Sequence, residues 1–270
     1  MNTHSQHSTT RWFLFYRDQL LLQPCTDASQ AEKCSFQIPQ GADIPQLAAS
    51  QPILEVVAQD GTPLKVISVP EMTNCPPGWQ WIGLRASFDQ LSLEEYLQAG
   101  KAYQMLYWDQ HSKFCPVCGT ATEQRALNMK QCPTCGYEIY PPISTAIIVL
   151  VKRGEDEVLL VHARNFKGNF KGLVAGFLEA GETLEQCVER EVMEETGLRI
   201  RNIRYVASQS WPYPSGLMVG FVAEYLSGVI KMQEEELSTA GFFHRNHLPE
   251  IPKKLSIARK LIDAWLEHKI

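Results

Sequence analysis

Apolar residues fall into short bursts in the first third of the chain and into longer runs, alternating with amphipathic stretches, in its second half. Between Arg11 and about Arg85, proline, glycine and aspartate separate the bursts, which predicts strands joined by turns. In the second half the pattern predicts strands at 145–151, 158–162 and 217–225 and helices at 183–195 and 256 to about 268. This order predicts an α/β fold that follows a strand-rich N-terminal region.

A further helix is predicted to begin at Ser92, with Glu95 as a capping partner three residues on. Apolar residues follow at roughly helical spacing, namely Leu93, Leu97, Tyr103 and Tyr107. Two prolines after Tyr140 then interrupt the chain before the strand at 145–151, and the main domain boundary is expected there. No internal repeat is evident beyond two similar cysteine segments.

Two closely spaced cysteine pairs, thirteen residues apart, lie between the helix and this boundary, and a glycine follows each pair. Such spacing can place four thiolates around one Zn²⁺, in a closed site with no position for water and therefore a structural role. A redox motif and a nucleic-acid-binding ribbon are the alternatives. The four residues are Cys115, Cys118, Cys132 and Cys135; the remaining Cys25, Cys34, Cys75 and Cys187 are expected to be reduced thiols.

The chain is therefore predicted to have three regions: a strand-rich domain at 1–110 that ends in a helix, a zinc ribbon at 111–141 and an α/β domain at 142–270. A length of 270 residues and 44% apolar content suit more than one packed core. The net charge of −5 is unlike that of a dedicated nucleic-acid binder. The longest aliphatic run, 146–151, is far shorter than the ~20 residues that cross a bilayer. We therefore expect a cytoplasmic protein without membrane association.

Three carboxylates lie close together on the helix predicted at 183–195. At about 100° per residue, Glu191, Glu194 and Glu195 fall within an arc of about 100°, beside an apolar stripe. Like charges at this spacing repel, and a divalent cation would compensate them. Ligation by oxygen alone favours Mg²⁺ or Mn²⁺ over zinc. The alternative is an acidic face in contact with solvent.

The segment from Gly176 to Leu198 resembles the Nudix box, Gly-x5-Glu-x7-Arg-Glu-U-x-Glu-Glu-x-Gly-U with U aliphatic, at all nine defined positions. The resemblance implies an α/β/α sandwich with a mixed sheet that hydrolyses a nucleoside diphosphate linked to another group. It also implies that Glu191 and Glu195 are the main metal ligands and that Glu194 is a further ligand or a base. Ala175 would offer a carbonyl ligand, and Arg190 would orient a catalytic glutamate.

A zinc ribbon before a Nudix box is similar to the arrangement in the NADH pyrophosphatases, also known as NAD-capped RNA decapping hydrolases. Their motif Ser-Gln-Pro-Trp-Pro-Phe-Pro-x-Ser resembles residues 208–216 here, with two departures, Ser210 for proline and Gly216 for serine. Loss of that serine hydroxyl could remove a contact to the dinucleotide. The resemblance implies a homodimer in which Tyr140 reaches the partner's site.

The same resemblance implies further site residues. Glu236 matches a distal metal-binding glutamate, Tyr140 and Phe177 match aromatic residues that enclose the nicotinamide, and Ala258 matches a residue whose backbone meets the ligand. The remaining expected substrate contacts are Gln209, Trp211, Tyr213 and, by a looser match, Arg85. Independently of any family, the basic residues Arg164, Lys167 and Lys171 could touch phosphates or simply contact solvent.

The expected reaction is hydrolysis of NAD(H) to NMN(H) and AMP, and of the equivalent bond in an NAD cap on RNA. A Nudix hydrolase of another dinucleotide, such as ADP-ribose, FAD or a nucleotide sugar, is the first alternative. A ligand-sensing Nudix domain with a nucleic-acid-binding ribbon is the second. The intact box disfavours a sensor, because a module that only binds has no chemical need for all three glutamates.

Overall fold

The computed structural model describes residues 10–25, 34–41, 50–72, 75–166 and 168–270. These residues form two compact units. The first comprises Met1–Pro142 with Pro212–Ser215, and the second comprises Ile143–Trp211 with Gly216–Ile270. Within the described residues, no helix combines the length and apolar character that crossing a bilayer requires.

The first unit contains a mixed six-stranded sheet. Its strands are β1 Arg11–Tyr16, β2 Gln19–Pro24, β3 Phe36–Gln37, β4 Leu54–Val57, β5 Pro63–Ser68 and β6 Gln80–Gly83. The strand order is β3-β2-β1-β5-β4, and β6 pairs with β2. Only the central pair, β1 and β5, runs parallel; the other pairs are antiparallel. Side chains on both faces of β1 are buried, which explains its continuous apolar run.

Helix α1, Leu93–His111, begins at the predicted cap, where the Ser92 side chain accepts a hydrogen bond from the Glu95 amide. The Glu95 carboxylate accepts bonds from the Ser92 hydroxyl and the Ile38 amide, which ties the helix to the segment after β3. The buried face carries Tyr96, Ala99, Gly100, Ala102 and Leu106. By contrast, Leu93 is 63% exposed and Leu97 52% exposed, so two of the large apolar residues lie outside the packed face.

A small three-stranded sheet follows α1, with strands β7 Glu123–Ala126, β8 Met129–Gln131 and β9 Glu138–Ile139. Lys130 on β8 is buried, and its ammonium group pairs with the Asp109 carboxylate at 2.7 Å. The same group lies 5.3 Å from the ring centre of Trp108. A buried lysine needs such partners, so this contact fastens the small sheet to the end of α1.

The second unit contains another mixed sheet. Its elements are β10 Ser144–Arg153, β11 Glu157–Ala163, β12 Val174–Phe177, α2 Leu184–Thr196, β13 Arg199–Trp211, β14 Gly216–Ser227, β15 Leu237–His244 and α3 Ile257–Leu266. The strand order is β13-β14-β10-β11-β15, and β12 pairs with β10. The central pair, β10 and β14, is parallel, and the other pairs are antiparallel.

Side chains on the two faces of β10 are buried in two separate cores. Val149 packs in a cluster with Val188 and Val192 of α2. Its neighbour Leu150 packs in a second cluster with Leu261 and Trp265 of α3. Because alternate strand residues point to opposite faces, the helices cover opposite sides of the sheet. This confirms the predicted α/β/α sandwich with a mixed sheet.

The two sheets share one topology. Each has a parallel central pair in which either strand is flanked by an antiparallel neighbour, so β4-β5-β1-β2-β6 corresponds to β13-β14-β10-β11-β15 in both pairing and chain order. The expectation of no internal repeat beyond the cysteine segments was therefore wrong for the fold. Sequence similarity was not needed to preserve the repeat, because topology depends on the apolar pattern and not on particular residues.

Candidate active site

Helix α2 has the predicted ends. At its start the Thr183 hydroxyl accepts from the Gln186 amide at 3.2 Å, and the Gln186 side chain accepts from the Thr183 amide at 2.8 Å. At its end Gly197 adopts a left-handed conformation with φ of 72°, and its amide donates to the Met193 carbonyl. These caps satisfy backbone groups at both helix ends and hold the helix in register with its carboxylates.

The three carboxylates of α2 differ in burial. Glu195 is 5% exposed beside the apolar stripe, the Glu191 side chain is nearly buried, and the Glu194 side chain is 54% exposed. The helix thus presents a gradient from a buried to an open carboxylate. Different surroundings suit these groups to different roles, because a buried carboxylate binds protons and cations more tightly than an open one.

Burial raises the pKa of Glu195 to about 8, and the charges of Glu191, Glu236 and Glu194 contribute to the rise. Burial also raises the pKa of Glu191, against the opposing effect of Arg190. In the part of the chain that the structure describes, no basic side chain pairs with the Glu195 carboxylate. Three carboxylates that repel a fourth, buried one form an acidic set whose chemistry suits a hard divalent cation with oxygen ligands.

Glu236 reaches this cluster through backbone contacts and not through a helix of its own. The Lys231 amide donates to the Thr196 carbonyl, and the Gln233 amide donates to the Glu195 carbonyl. These bonds use carbonyls at the end of α2 that have no partner within the helix. The Glu236 carbonyl in turn accepts from the Arg164 amide at 2.8 Å. The segment before β15 is thereby fastened beside the carboxylate helix.

Arg190 connects the helix to the loop before it. Its guanidinium group makes two bonds to Glu182, at 2.6 and 3.0 Å, one to Glu191 at 2.8 Å and one to Glu194 at 3.1 Å. A fifth bond reaches the Phe177 carbonyl at the end of β12. These bonds raise the pKa of Arg190, and they lower the pKa of Glu182 to about 2. Glu182 therefore anchors Arg190, a role that the sequence expectations did not assign to it.

Gly176 is the point where β12 meets the Glu191 side chain. A Cβ atom built at this position would overlap the Glu191 carboxyl group. Glycine is required here because only a backbone without a side chain permits this approach. Ala175, the neighbouring candidate for a carbonyl ligand, pairs with Ile148 on the same strand.

The cysteine segments form two matching turns. The Gly119 amide donates to the Cys115 carbonyl and the Gly136 amide to the Cys132 carbonyl, and both glycines have φ of 75°. All four sulfur atoms, those of Cys115, Cys118, Cys132 and Cys135, lie within 4.8 Å of one another. Sulfur–sulfur distances within the cluster measure 3.4 to 3.7 Å, far beyond the ~2.05 Å of a disulfide.

These separations resemble the edges of a thiolate tetrahedron, which measure about 3.8 Å when the Zn–S distance is about 2.3 Å. Hydrogen bonds with Thr120 lower the pKa of Cys118 to about 6, whereas hydrogen bonds with the neighbouring cysteines raise the pKa of Cys135 to about 12 against the effect of the Tyr137 backbone. The thiolate that a metal binds is therefore favoured at Cys118. The cluster therefore suits one zinc ion. Cys132 follows β8 directly, so the cluster lies next to the small sheet.

The chain matches two family models. The model of the NUDIX domain matches residues 142–265, and the model of the NADH pyrophosphatase-like rudimentary NUDIX domain matches residues 9–108. A protein of Pseudomonas aeruginosa (strain LESB58), called NAD-capped RNA hydrolase NudC, is 43% identical over 77% of this chain and 75% of its own length. The relative of the same name in Stutzerimonas stutzeri (strain A1501) is 43% identical over 72% and 70%.

The chain belongs to the Nudix hydrolases of the NADH pyrophosphatase type. As a Nudix hydrolase it acts with a divalent metal, and its four-cysteine cluster indicates zinc in addition. Among solved structures, a NUDIX hydrolase from Nitrosomonas europaea is 26% identical, with a TM-score of 0.49 over 57% of this chain and 91% of that protein.

The remaining predicted residues of this Nudix hydrolase fall into separate groups. Phe177 is 66% exposed at the end of β12, and its carbonyl is the one that Arg190 binds. Gln209 on β13 spans the start of α3: its amide donates to the Leu255 carbonyl at 2.8 Å and accepts from the Ile257 amide at 2.7 Å. It thereby fixes the backbone beside Ala258, a more structural task than the expected contact to substrate.

Residues 212–215 between β13 and β14 pack with the first unit. The Tyr213 and Tyr96 hydroxyls are hydrogen-bonded to each other, and the Arg85 guanidinium lies 5.9 Å from the centre of the Tyr213 ring. Burial raises the pKa of Tyr213, so its hydroxyl stays neutral. The structure therefore groups Tyr213 with Arg85 on the first unit, to which the exposed Tyr140 also belongs.

Ser210 and Gly216 are the two departures from the family motif. Ser210 lies near the end of β13, and Gly216 begins β14. Trp211 and Gly216 pair directly across β13 and β14, whereas Ser210 pairs with Leu217. A Cβ atom at Gly216 would lie 3.1 Å from the Trp211 carbonyl oxygen. A serine here would need a small shift of Trp211, so the glycine matches this arrangement of the strand ends.

The basic residues before the box engage protein groups. The Arg164 guanidinium donates to the Glu234 carbonyl, and the Lys171 ammonium donates to the Thr239 hydroxyl. Lys167 lies outside the described residues. The guanidinium group and the backbone amide of Arg164 therefore both bind the segment that carries Glu236.

The first prediction concerns zinc. Purified protein should contain about one zinc per chain, and a mild chelator should leave it in place while removing the more weakly held oxygen-bound cation. Cys118→Ser should lose most of the zinc and lower the melting temperature, because metal binding and folding of such sites are coupled. Cys75→Ser, whose thiol donates only to the Trp79 carbonyl, serves as the control. Elemental analysis with thermal melting makes the measurement; a stable wild-type chain without zinc contradicts it.

The second prediction concerns the proton on Glu195. Its pKa of about 8 means that the metal-free carboxyl group is mostly protonated at pH 7, so a cation that binds there must displace about one proton. Apparent affinity for Mg²⁺ or Mn²⁺ should therefore rise from pH 6 to about 8 and then level off. Calorimetric titration in buffers of different ionisation enthalpy measures the released proton.

Glu195→Gln should abolish this proton release and weaken cation binding. Glu185→Gln, which changes an exposed acid on the same helix, should leave both unchanged. Cation affinity that stays constant between pH 6 and 8 in the wild-type protein would exclude a protonated Glu195 as a ligand.

Proposed function

We propose that this Nudix hydrolase cleaves the pyrophosphate bond of NAD(H) to give NMN(H) and AMP, and removes the NAD cap from RNA 5′ ends. The observation that carries the proposal is the buried Glu195 carboxylate among Glu191, Glu194 and Glu236. The names of the relatives, which describe NAD-capped RNA hydrolases at up to 43% identity, support the choice of substrate.

Each carboxylate has a proposed role that follows from its surroundings. A bound Mg²⁺ or Mn²⁺ would neutralise phosphate charge and activate water for attack. Glu191 and Glu195 would hold the cation from the helix, with Glu236 as the distal ligand and the Ala175 carbonyl as a further one. Glu194, the open carboxylate, can take a proton from the attacking water or contribute another ligand. Arg190 positions Glu191 and neutralises part of the acidic cluster.

Substrate contacts are also proposals. Phe177 offers an exposed ring next to the carboxylate helix, and Tyr140 offers one from the first unit. The Phe177 and Trp211 rings would provide flat surfaces for the nicotinamide or adenine, and Tyr140 would reach the site of the partner subunit. Gln209 fixes the backbone beside Ala258 for contact with the ligand. Tyr213 and Arg85 would act by holding the segment that follows Trp211.

Three broader features belong to the same proposal. We infer a cytoplasmic homodimer, since four thiols gathered in a cluster that suits a metal ion are typical of a reducing compartment and the exposed Tyr140 can face a second subunit. The matched family models support a division into an N-terminal domain at 1–110, a ribbon at 111–141 and a catalytic domain at 142–270. The four cysteines would hold Zn²⁺ in the ribbon.

A Nudix hydrolase that prefers ADP-ribose, FAD or a nucleotide sugar is the second candidate. It is favoured by Ser210 and Gly216, the two departures from the selectivity motif. A panel of NADH, NAD, FAD, ADP-ribose and NAD-capped RNA, assayed with each metal, compares the two. Preference for the NAD-containing substrates supports the first candidate, and preference for any other dinucleotide supports the second.

The third prediction tests the catalytic carboxylate. Glu195→Gln should preserve the fold but lower turnover of NADH by at least ~10² to 10³, because it removes charge from the cation site and with it transition-state stabilisation. Glu185→Gln is the matched control, with turnover close to wild type. Unchanged turnover of Glu195→Gln at saturating Mg²⁺ would place the cation elsewhere.

The fourth prediction tests selectivity. Trp211→Ala should lower kcat/KM for NADH by about five- to a hundredfold, because stacking on one base contributes ~1 to 3 kcal/mol. ADP-ribose, which lacks the nicotinamide, should be less affected. Tyr205→Ala removes an exposed aromatic ring from the same strand and should not change the preference between the two substrates. Equal losses for both substrates in Trp211→Ala would instead make Trp211 a packing residue.

A further inference from the structure

A cavity of about 380 Å³ opens in the first unit, within residues 16–111 and outside the proposed hydrolytic site. It lies between the turn after β1, the residues that end β5 and the last two turns of α1. Ligand pockets commonly measure about 300 to 1,000 Å³, so this one suits a small ligand and not a dinucleotide.

The position of the cavity follows from the strand directions. β1 and β5 run parallel, with Phe15 opposite Ser68, so the carboxyl ends of both strands meet at one edge of the sheet. Arg17 follows the first strand, and Val69 follows the second. In open mixed sheets this edge is where ligands commonly bind, because the chain leaves the sheet there and opens a crevice.

Aromatic rings form much of the cavity lining. Tyr16 contributes one ring from β1, and Tyr103 and Tyr107 contribute two from α1. The ring centres of Tyr107 and His111 lie 4.1 Å apart with an angle of 33° between their planes, so the two rings stack on each other and the pair presents an outer ring face. A flat heterocycle can stack on such a surface whatever its identity.

One wall of the cavity carries a positively charged side chain, that of Arg17. Arg17 adopts a left-handed conformation with φ of 53°, which is uncommon for arginine, and its guanidinium lies 5.2 Å from the centre of the Tyr16 ring. Among the described residues no carboxylate forms an ion pair with Arg17, and the lining itself contains neither aspartate nor glutamate. The cavity therefore favours an anion and disfavours a metal ion.

Polar groups suited to a heterocycle lie beside these rings. The His111 Nδ1 atom bonds to the Tyr107 carbonyl at 2.7 Å, which leaves the Nε2 atom as the ring nitrogen outside that bond. The Gln110 amide donates to the Ser68 hydroxyl at 2.9 Å and keeps its carbonyl oxygen for another donor. The Gln110 amide and the His111 imidazole, next to stacked rings, can form hydrogen bonds with the edge of a base.

We propose that this cavity binds one nucleotide unit, with the base stacked on Tyr107 and His111 and the phosphate at Arg17. The Nudix box does not recur before residue 142, so the unit binds the nucleotide without hydrolysing it. The nucleotide can be a free nucleoside monophosphate or a residue of an RNA strand. The inference goes beyond the proposed hydrolysis and does not depend on it.

The test uses the full-length, zinc-loaded protein without added Mg²⁺ or Mn²⁺ and with 8-azido-AMP as the probe, followed by photo-crosslinking and peptide mapping. Mapping separates this cavity from the hydrolytic site, which AMP can also enter as a product. The expected crosslinks fall in peptides that contain residues 16–17 or 103–111. Labelling confined to residues 143–270 overturns the proposal.

Variants then test the individual contacts. Tyr107→Leu should weaken labelling of these peptides about five- to a hundredfold, as expected for loss of a stacking ring. Arg17→Asn removes the charge while keeping a residue that tolerates the left-handed conformation, and should weaken labelling about tenfold or more. Arg125→Asn is the matched control on an exposed arginine of the same unit. Unchanged melting temperatures verify folding, and wild-type labelling in both cavity variants overturns the proposal.

Competition identifies the source of the nucleotide. If a 5′-phosphorylated RNA tetranucleotide displaces the probe at lower concentration than AMP, the cavity serves the RNA strand; if AMP is the better competitor, it serves free nucleotides. Either result supports a nucleotide site. If inorganic phosphate competes as well as AMP, base recognition is absent and the proposal fails.

Discussion

The bonds of Arg190 hold the carboxylate site in place. Its guanidinium group joins Glu182 in the loop, Glu191 on the helix and the Phe177 carbonyl on β12, so three consecutive parts of the chain are fixed by one side chain. Without the Arg190 guanidinium group, the acidic residues of the box would repel one another and no bond would fix their positions. None of these Arg190 bonds reaches Glu195, so the buried carboxylate keeps the raised pKa that burial and its acidic neighbours produce.

The sheet beneath this helix explains why the carboxylates can be buried at all. Val188 and Val192 fill the core against β10, which fixes the depth at which Glu195 lies one turn further on. The same apolar contact that stabilises the helix thereby desolvates the carboxylate and raises its pKa. The free energy gained by burying the apolar stripe offsets the cost of desolvating the Glu195 carboxylate.

The sequence allowed prediction of the features that depend on local chemistry. Both ends of α2, the carboxylate arc and the four-cysteine cluster follow from short spacings. Strands β12, β13 and β15 were missed because β12 is only four residues long and β13 carries exposed polar residues with three register shifts. The bonds of Gln209 and Tyr213 were also missed, since their partners lie 46 to 117 residues away and no local pattern records them.

The shared topology of the two units suggests how one fold accommodates two chemistries. In both sheets a parallel pair is central, so each sheet has an edge at which two strands end together. In the second unit the box helix brings a cluster of acidic residues that suits a metal ion. In the first unit the cavity lining carries tyrosines and an arginine and no acid, which favours a flat ring that bears an anionic group over a cation. Because the strand order needs only the apolar pattern, the charged residues around it can differ between the two units and suit different ligands.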